Sequence, residues 1–587
     1  MTLSSWLNKT WLNKKSLHNT ESSHAESSHA ESSHAESSSN KSNNISIANI
    51  SPNSKKSTRN KHNKNKLSHA LTGEEAYNNN HLTRPALISL AILTFITFIG
   101  NFAQLQLTAA LPTIVREFNI NVTTGQWLTS IFQLIMAIMV PLTAFLTRRF
   151  STRQIVITSM CLFTIGSIFA WLSNDFIMAL IGRTLEAIGT GVMWPVLQIT
   201  VFSVFPLTRR GMAMGSVGMA MSIAPAIGPT IGGLQTDFNG WRSIFFSLTI
   251  IGIISIILST FLLHNFGEQD KTAKADFFSV SLSIIGFGGV MFGFTNIEAY
   301  GITHPMAFAP MIIGSIGIIW FVTRQLLEQK RGKLPLLGLS VLKNKYFTIG
   351  TICACLTFFA FSSIMVLIPL YIQDDRGFSA TMSGLILLPG AFGMAISQFA
   401  GGRMLDRLGV RPVAMAGSLI LLFGTVMMSL IDMHTWIWWI SIWQFTRQIG
   451  MGFLLMPITT WSLNCLQHEE LGDGSAVTNT MRQLWGAIGA PVLVVTMTAL
   501  TTWKHAYVGS GHAADVAASI FGVQWTLRIS AIITAIMAAI VIFGIKGEGA
   551  GSAHALARRA IARMKVLHIP HASENKDVMH DHTHAQY

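Results

Sequence analysis

The sequence predicts an all-α polytopic membrane protein with fourteen spanning helices. Three observations carry the prediction: a middle region nearly free of charge, apolar runs of spanning length, and basic residues confined to alternate loops. Of 587 residues half are hydrophobic and 12% are charged. Residues 1–85 hold 17 of the Lys, Arg, Asp and Glu residues and residues 547–587 hold 9, which leaves 42 among the 461 between. That is about 9%, against roughly 25% in soluble globular domains. A soluble fold of this size could not cover its surface with so few charges, and a disordered scaffold would not be this apolar.

The chain opens on a tract that repeats Trp-Leu-Asn-Lys twice (Trp6–Lys9, Trp11–Lys14) and Glu-Ser-Ser-His-Ala three times between Glu21 and Ala35. Such a Ser/Asn/His segment cannot bury enough apolar surface to fold, so 1–85 reads as a low-complexity, disordered cytoplasmic tail. It is not a signal peptide, because the first apolar run begins only near Pro85. A spanning helix needs about 20 mostly apolar residues. Runs of that kind lie at 86–114, 124–147, 154–173, 176–205, 211–234, 241–263 and 277–297, then at 306–326, 346–372, 380–400, 411–431, 435–460, 474–503 and 524–546. They are too long for strands and lack the alternating pattern of a membrane barrel. Helices also satisfy every backbone polar group within the segment, as lipid demands.

Loop charge sets the orientation. Loops after even-numbered spans carry fifteen basic residues: Arg148, Arg149, Arg153, Arg209, Arg210, Lys271, Lys274, Lys330, Arg331, Lys333, Lys343, Lys345, Arg403, Arg407 and Arg411. Loops after odd-numbered spans carry Arg116, Arg242, Arg376 and Lys504 alone. Both termini are therefore expected in the cytoplasm, with the chain multi-pass in the plasma membrane. The same placement argues against nucleic acid as a partner of this +14 chain, since a nucleic-acid protein gathers its basic residues on one face of a folded domain. Cys161, Cys353, Cys355 and Cys465 lie in or beside apolar runs and form no disulfide framework or zinc spacing. His24, His29 and His34, like His580, His582 and His584, read as solvated tail residues, so no metal and no cofactor are expected.

Ionisable residues at membrane depth are functional candidates, because burying a charge there costs several kcal/mol unless it is paired or meets water. Arg183 and Glu186, at i and i+3 in the fourth span, share one helix face. Counted from Phe176 at 1.5 Å per residue, Glu186 lies about 15 Å deep, near the midplane. A carboxylate there can take up and release protons, provided that solvent reaches it from one side. A pair pointing into lipid, or locked together in a solid interior with no solvent path from either side, would remove the export mechanism that rests on it. Asn101, Gln104 and Gln106 of the first span, Gln133 of the second and Gln198 of the fourth are amides that line a cavity or bond neighbouring helices. Arg447 and Gln448 of the twelfth span add a second intramembrane cation, while Arg482 and Arg528, near span ends, are expected to snorkel to the interface.

The fifth span reads Ala224-Pro225-Ala226-Ile227-Gly228-Pro229-Thr230-Ile231-Gly232-Gly233. Its prolines remove backbone hydrogen bonds, and Gly228 and Gly232 let another helix approach backbone to backbone. Together with Ala110-Leu111-Pro112-Thr113-Ile114, Trp241-Arg242-x-Ile244-Phe245, Arg183 with Gly189-x-Gly191 and Pro195, and Gly402-Arg403-Met404-Leu405-Asp406-Arg407-Leu408-Gly409-Val410-Arg411, this stretch resembles the major facilitator superfamily, fourteen-helix drug:proton antiporter type. The resemblance covers about 86–546. A degenerate copy of the last motif places Arg148, Arg149, Ser151 and Arg153 where the later copy has Asp406, Arg407, Gly409 and Arg411, 258 residues on.

The resemblance implies two six-helix halves, 86–263 and 346–546, separated by helices seven and eight with their cytoplasmic loop at 264–345, and a C-terminal cytoplasmic tail at 547–587. Pro225, Gly228, Pro229, Gly232 and Gly233 match the antiporter motif. Gly402, Asp406, Arg407, Gly409 and Arg411 match a gating loop, in which Asp406 is expected to meet the start of span eleven and the arginines to pair across the halves. Three departures stand out: Ala103 replaces the acid usual in helix one, Glu186-Ala187 replaces Gln-Gly, and Arg148 replaces an acid. Glu186 is therefore expected to take over proton coupling with Arg183, while Asn101, Gln104, Gln133, Gln198 and Arg447 line the substrate cavity. The implied function is proton-coupled export of small lipophilic compounds by alternating access, with transport of a specific organic anion or metabolite as the alternative. The partners are a small-molecule substrate, protons and the lipid bilayer. No Walker-type loop is present, so energy must come from a gradient, and no catalytic constellation suggests an enzyme. A membrane sensor would need a folded output domain that neither tail resembles.

Overall fold

Each predicted apolar run is a helix in the computed structural model, which describes residues 70–545 apart from 72, 79–80, 267–275, 302, 333–334 and 509–510. The histidine-bearing stretches of both tails, and Lys271, Lys274 and Lys333, lie outside the described residues. All described residues belong to one compact unit, Lys61–Tyr587. Spans one to six are Arg84–Gln106, Val122–Arg149, Thr152–Trp171, the pair Phe176–Gly191 and Met193–Val204, Arg210–Asn239 and Arg242–Leu262. Span seven runs from Phe277 to Tyr300 through one π turn, and span eight is Pro305–Lys330. Spans nine to fourteen are Lys345–Leu370, Ala380–Leu408, Val410–Met428, Ile437–Asn464, Leu471–Val508 and His512–Ala539. Thirteen of these are long and apolar enough to cross a membrane. The other, Ile437–Asn464, is as long but carries Gln444, Arg447, Gln448 and Asn464.

Local chemistry explains where the helices begin. Asn121, Asp175 and Ser379 accept hydrogen bonds from the amides of Thr124, Met178 and Met382, and Ser151 with Gln154 forms a capping box. Three boundaries differ from expectation. Span one gives way to a 3-10 turn at Leu107–Ala109, so Leu111–Glu117, with Pro112 in its first turn, is a separate short helix. Span fourteen starts twelve residues early, at His512, since the less apolar stretch before Gln524 is helical as well. Span ten runs through Gly402, Asp406 and Arg407 to Leu408, so most of the expected gating loop is helix. It ends at Gly409, whose φ of 84° is the left-handed conformation that favours glycine.

Loops after even-numbered spans meet on one face, which we term the basic face. There Arg148 reaches Asp473 and the carbonyl of Pro335, and Arg210 donates to Asn464 Oδ1 at 3.1 Å. Ala70–Leu71 pairs in parallel with Asn265–Phe266. On the opposite face Glu117 receives Trp241 Nε1 at 2.6 Å and the Arg242 guanidinium, which also donates to the Ser173 carbonyl. Burial pushes the Glu117 carboxyl up, but the hydrogen bonds and charge of Arg242 and Trp241 outweigh it and hold the group below its ordinary range. Span eight turns Ile312, Ile313, Ile316, Ile319 and Trp320 outward, a surface suited to lipid.

Candidate functional site

Spans three and four approach closely because glycines face each other: a Cβ on Gly166 would lie 2.6 Å from Glu186 N, and one on Gly182 2.7 Å from Ala170 N. That contact encloses the Arg183–Glu186 pair. Arg183 Nη1 lies 2.7 Å from Glu186 Oε2, and Ser167 Oγ donates to Oε1 at 2.6 Å. The guanidinium also donates to the carbonyls of Leu128 at 3.2 Å and Ala103 at 3.5 Å, and stacks 4.2 Å over the Phe132 ring. Both side chains are fully buried, walled by spans one, two, three and six. The solvent path that the sequence reading required is thus not open in this conformation. Arg183 Nη2 has no partner.

The amides expected to line a cavity divide into three groups. Half-buried Asn101 donates to the Thr97 carbonyl and approaches Met221 Sδ of span five at 3.5 Å, and Gln104 is half-buried beside it. Gln133 is exposed. Gln198 is buried and joins the halves, its Oε1 accepting from Ser475 Oγ at 2.6 Å and from Asn479 Nδ2 at 2.8 Å on span thirteen. Trp194 Nε1 donates to Asn479 Oδ1 at 3.0 Å beside it. Arg447 is enclosed rather than placed on a cavity wall. It turns into its own half, donating to the Ala360 carbonyl at 2.7 Å and toward Thr425 Oγ1 at 3.3 Å, with Nη1 unpartnered and no exposed surface.

In the fifth-span motif the backbone approach is real and unequal. A Cβ on Gly232 would lie 2.0 Å from the Gln106 carbonyl oxygen and one on Gly228 3.3 Å from Leu105 Cβ, whereas Gly233 has room. Pro225 and Pro229 lie within an unbroken Arg210–Asn239 helix.

The gating residues require two corrections. Asp406 does not meet span eleven; its carboxylate accepts from the amides of Gly211 at 2.9 Å and Met212 at 2.7 Å, at the start of span five in the other half. The cause is the helical extension of span ten, which aims the Asp406 side chain across the seam, where free amides and the positive end of span five attract it. Gly402 is needed there, since a Cβ on it would lie 2.1 Å from the Gly211 carbonyl oxygen. Arg407 and Arg411 are exposed and make no hydrogen bond or ion pair among the described residues. Arg148, read as part of a degenerate copy, pairs with Asp473 at the start of span thirteen. The two latches are equivalent with their charge reversed.

Arg482 overturns the snorkelling expectation. It is 7% exposed, stacks over Phe358 at 4.5 Å and Trp194 at 5.6 Å, and leaves Nε and Nη1 unpartnered. Arg528, half-buried, stacks on Trp525 at 4.7 Å. Sequence reasoning missed Asp473, Ser475 and Asn479. The signal for Asp473 was present: where a motif copy exchanges an acid for Arg148, its partner must become acidic. Among the described residues no cluster of His, Cys, Asp and Glu could hold a metal ion.

Comparison with known proteins supplies context for this geometry. A family model described as Major Facilitator Superfamily matches residues 90–490. The chain is 35% identical over 439 residues to the uncharacterized MFS-type transporter YcnB of Bacillus subtilis, covering 74% of this chain and 92% of that protein. It is 33% identical to the lincomycin resistance protein LmrB of Listeria innocua, over 68% of this chain and 84% of that one. To the multidrug export protein EmrB of Escherichia coli it is 24% identical, over 71% and 81% of the two chains. Among solved structures, the human organic anion transporter MFSD10 (TETRAN) aligns at a TM-score of 0.56 and 12% identity, over 78% of this chain and all of that one, a likeness of fold alone.

Proposed function

Because the chain belongs to the Major Facilitator Superfamily, a family of non-enzymatic membrane transporters, we propose that it exports small lipophilic compounds in exchange for protons by alternating access. The observation that carries this reading is the paired latch on the basic face. Asp406 on span ten holds the start of span five, and Arg148 on span two holds Asp473 at the start of span thirteen. Each joins the halves by a few polar contacts that a rocking motion can break and remake, as alternating access requires. The names of relatives such as LmrB and EmrB support drugs as the substrate class. In this reading the basic face and both termini lie in the cytoplasm, and the membrane is the plasma membrane.

Proton coupling is assigned to Glu186 with Arg183, the carboxylate exchanging protons in a conformation where the pair separates. The enclosure of that pair favours a second reading, in which it is a fixed ionic staple joining spans one to four. One experiment distinguishes them and tests the whole. The full chain in liposomes is loaded on an imposed pH gradient with a panel of lipophilic compounds. Export reads out as substrate movement that stops when the gradient is collapsed; its absence for every compound refutes the function. Undiminished gradient-driven movement by Glu186→Gln leaves export standing and reduces the pair to a staple.

A further inference from the structure

Arg482 is a cation placed where neither topology nor packing explains it. Its span begins at Leu471 on the basic face, and eleven further residues carry position 482 well into the apolar layer. The side chain is more than nine-tenths buried, yet among the described residues it has no ion pair. Two of its three guanidinium nitrogens, Nε and Nη1, lack any partner. The residues against it come from both halves: Phe358 of span nine at 4.5 Å and Trp194 of span four at 5.6 Å. The Trp194 ring is fixed by its hydrogen bond to Asn479, one turn before Arg482 on the same helix.

Aromatic faces attract a guanidinium but satisfy none of its N–H donors. Two unmet donors on a buried cation are a standing cost, and such groups in membrane segments mark ligand pathways when no internal counter-ion exists. The equivalent position in the first half is Met221, which meets Asn101 as Arg482 meets Phe358, so the seam is neutral on one side and cationic and aromatic on the other. We infer that Arg482, with Trp194 and Phe358, forms the recognition point for an amphipathic ligand: an aromatic or apolar body bearing one anionic group, such as a sulfonate or carboxylate. The anion supplies the missing acceptor for Nε and Nη1, and the ligand body packs against the two rings. This deepens the export reading and rests on it only for the ligand being moved.

The test uses the purified full chain and three labelled probes: 2-naphthalenesulfonate, its neutral sulfonamide, and tetraphenylphosphonium. By equilibrium binding, the sulfonate is expected to bind saturably, and Arg482→Gln to weaken it by about tenfold or more, the loss typical of a charge-assisted contact. Sulfonamide affinity should stay within about twofold, since it never used the charge. Arg482→Lys, which keeps the charge but loses planar stacking, should fall between the two and covers the case in which the Gln variant fails to fold. Equal sulfonate affinity in wild type and variants, tighter binding of tetraphenylphosphonium than of sulfonate, or no saturable sulfonate binding would overturn the assignment. Sulfonate that binds through Arg482 but does not move in liposomes upholds this site, and it removes the export reading only when no compound of the panel moves either.

Discussion

The two halves put opposite charges at the same point of a shared frame. In the first, Gly166 and Ser167 of span three lie against Glu186, which pairs with Arg183 one turn before it, and Arg183 reaches the Ala103 carbonyl. In the second, the equivalent Gly424 and Thr425 of span eleven lie against Arg447, which donates to the Ala360 carbonyl, so Arg447 stands at the position of Glu186 and Gln444 at that of Arg183. A buried cation can be tolerated on carbonyl and hydroxyl acceptors alone. The ion pair of the first half is therefore particular to that half and not a requirement of the shared frame, which is why its purpose is worth testing.

The largest effect should follow from separating that pair. Arg183→Met strands Glu186 in the interior and should cost about 3–5 kcal/mol, read as a drop in the melting temperature of the detergent-purified chain. The double variant Arg183→Met with Glu186→Met should recover most of that loss, because two apolar side chains replace a self-neutralised pair. Arg447→Met, which strands no charge, should cost at least about 2 kcal/mol less than Arg183→Met. Equal costs at the two arginines would break the comparison.

A second measurement asks how tightly the frame around Arg447 is packed. A Cβ on Gly450 would lie 2.4 Å from Leu421 N and 2.8 Å from the Gly417 carbonyl oxygen, both backbone atoms that cannot give way locally. Gly450→Ala should therefore destabilise by about 1–3 kcal/mol through overpacking. A neutral Gly450→Ala would mean that spans eleven and twelve have slack beside Arg447.

The latches extend the comparison to the basic face. Asp406→Ala leaves the amides of Gly211 and Met212 without their acceptor, at a cost of about 1–2 kcal/mol. Faster hydrogen exchange at those two amides is the readout, and unchanged exchange would show that Asp406 does not hold the start of span five. Arg148→Ala should produce the matching effect at the start of span thirteen, with a smaller cost because Arg148 and Asp473 both retain some contact with water.

The helices were legible in the sequence because apolarity over twenty residues is a one-dimensional property, and the alternation of loop charge checks the count without further information. Residues whose role depends on a distant partner were not. Asp406 looked like a cap for the helix that follows it, because sequence ranks neighbours by separation, whereas the partner lies 194 positions away at Met212. Arg482 looked close enough to a span end to reach water; the 38-residue span thirteen and its aromatic neighbours instead hold it inside. Arg183 and Glu186 were legible as a pair from their spacing alone. Their enclosure depends on Gly166 and Ser167 of span three, which no spacing rule connects to them.

The smallest effect belongs to the face opposite the latches, where the halves again differ. The first half ties its loops with the Glu117 carboxylate, which receives Trp241 and Arg242. The second uses Arg376, which donates to the Tyr371 hydroxyl at 2.8 Å and the Thr435 carbonyl at 2.9 Å, acceptors that do not titrate in acid. Burial raises the Glu117 carboxyl and the Arg242 and Trp241 contacts more than reverse it, so its folded value lies below the ordinary 4.5. A lowered carboxyl contributes stability above its unfolded value, and that contribution fades as pH falls through the folded one. Acidification below about pH 4.5 should therefore loosen the Glu117 contacts while leaving those of Arg376 intact. The gain is small, at most about 1 kcal/mol, because Arg242 and Glu117 are 34% and 43% exposed and water screens them. Hydrogen exchange around Trp241 and around Thr435, followed from pH 6 to pH 3.5 after correction for intrinsic rates, checks it. In wild type only the first should accelerate beyond that correction, and Glu117→Gln should make it fast at every pH; parallel acceleration at both would show that the acid response belongs to the whole face and not to this carboxylate.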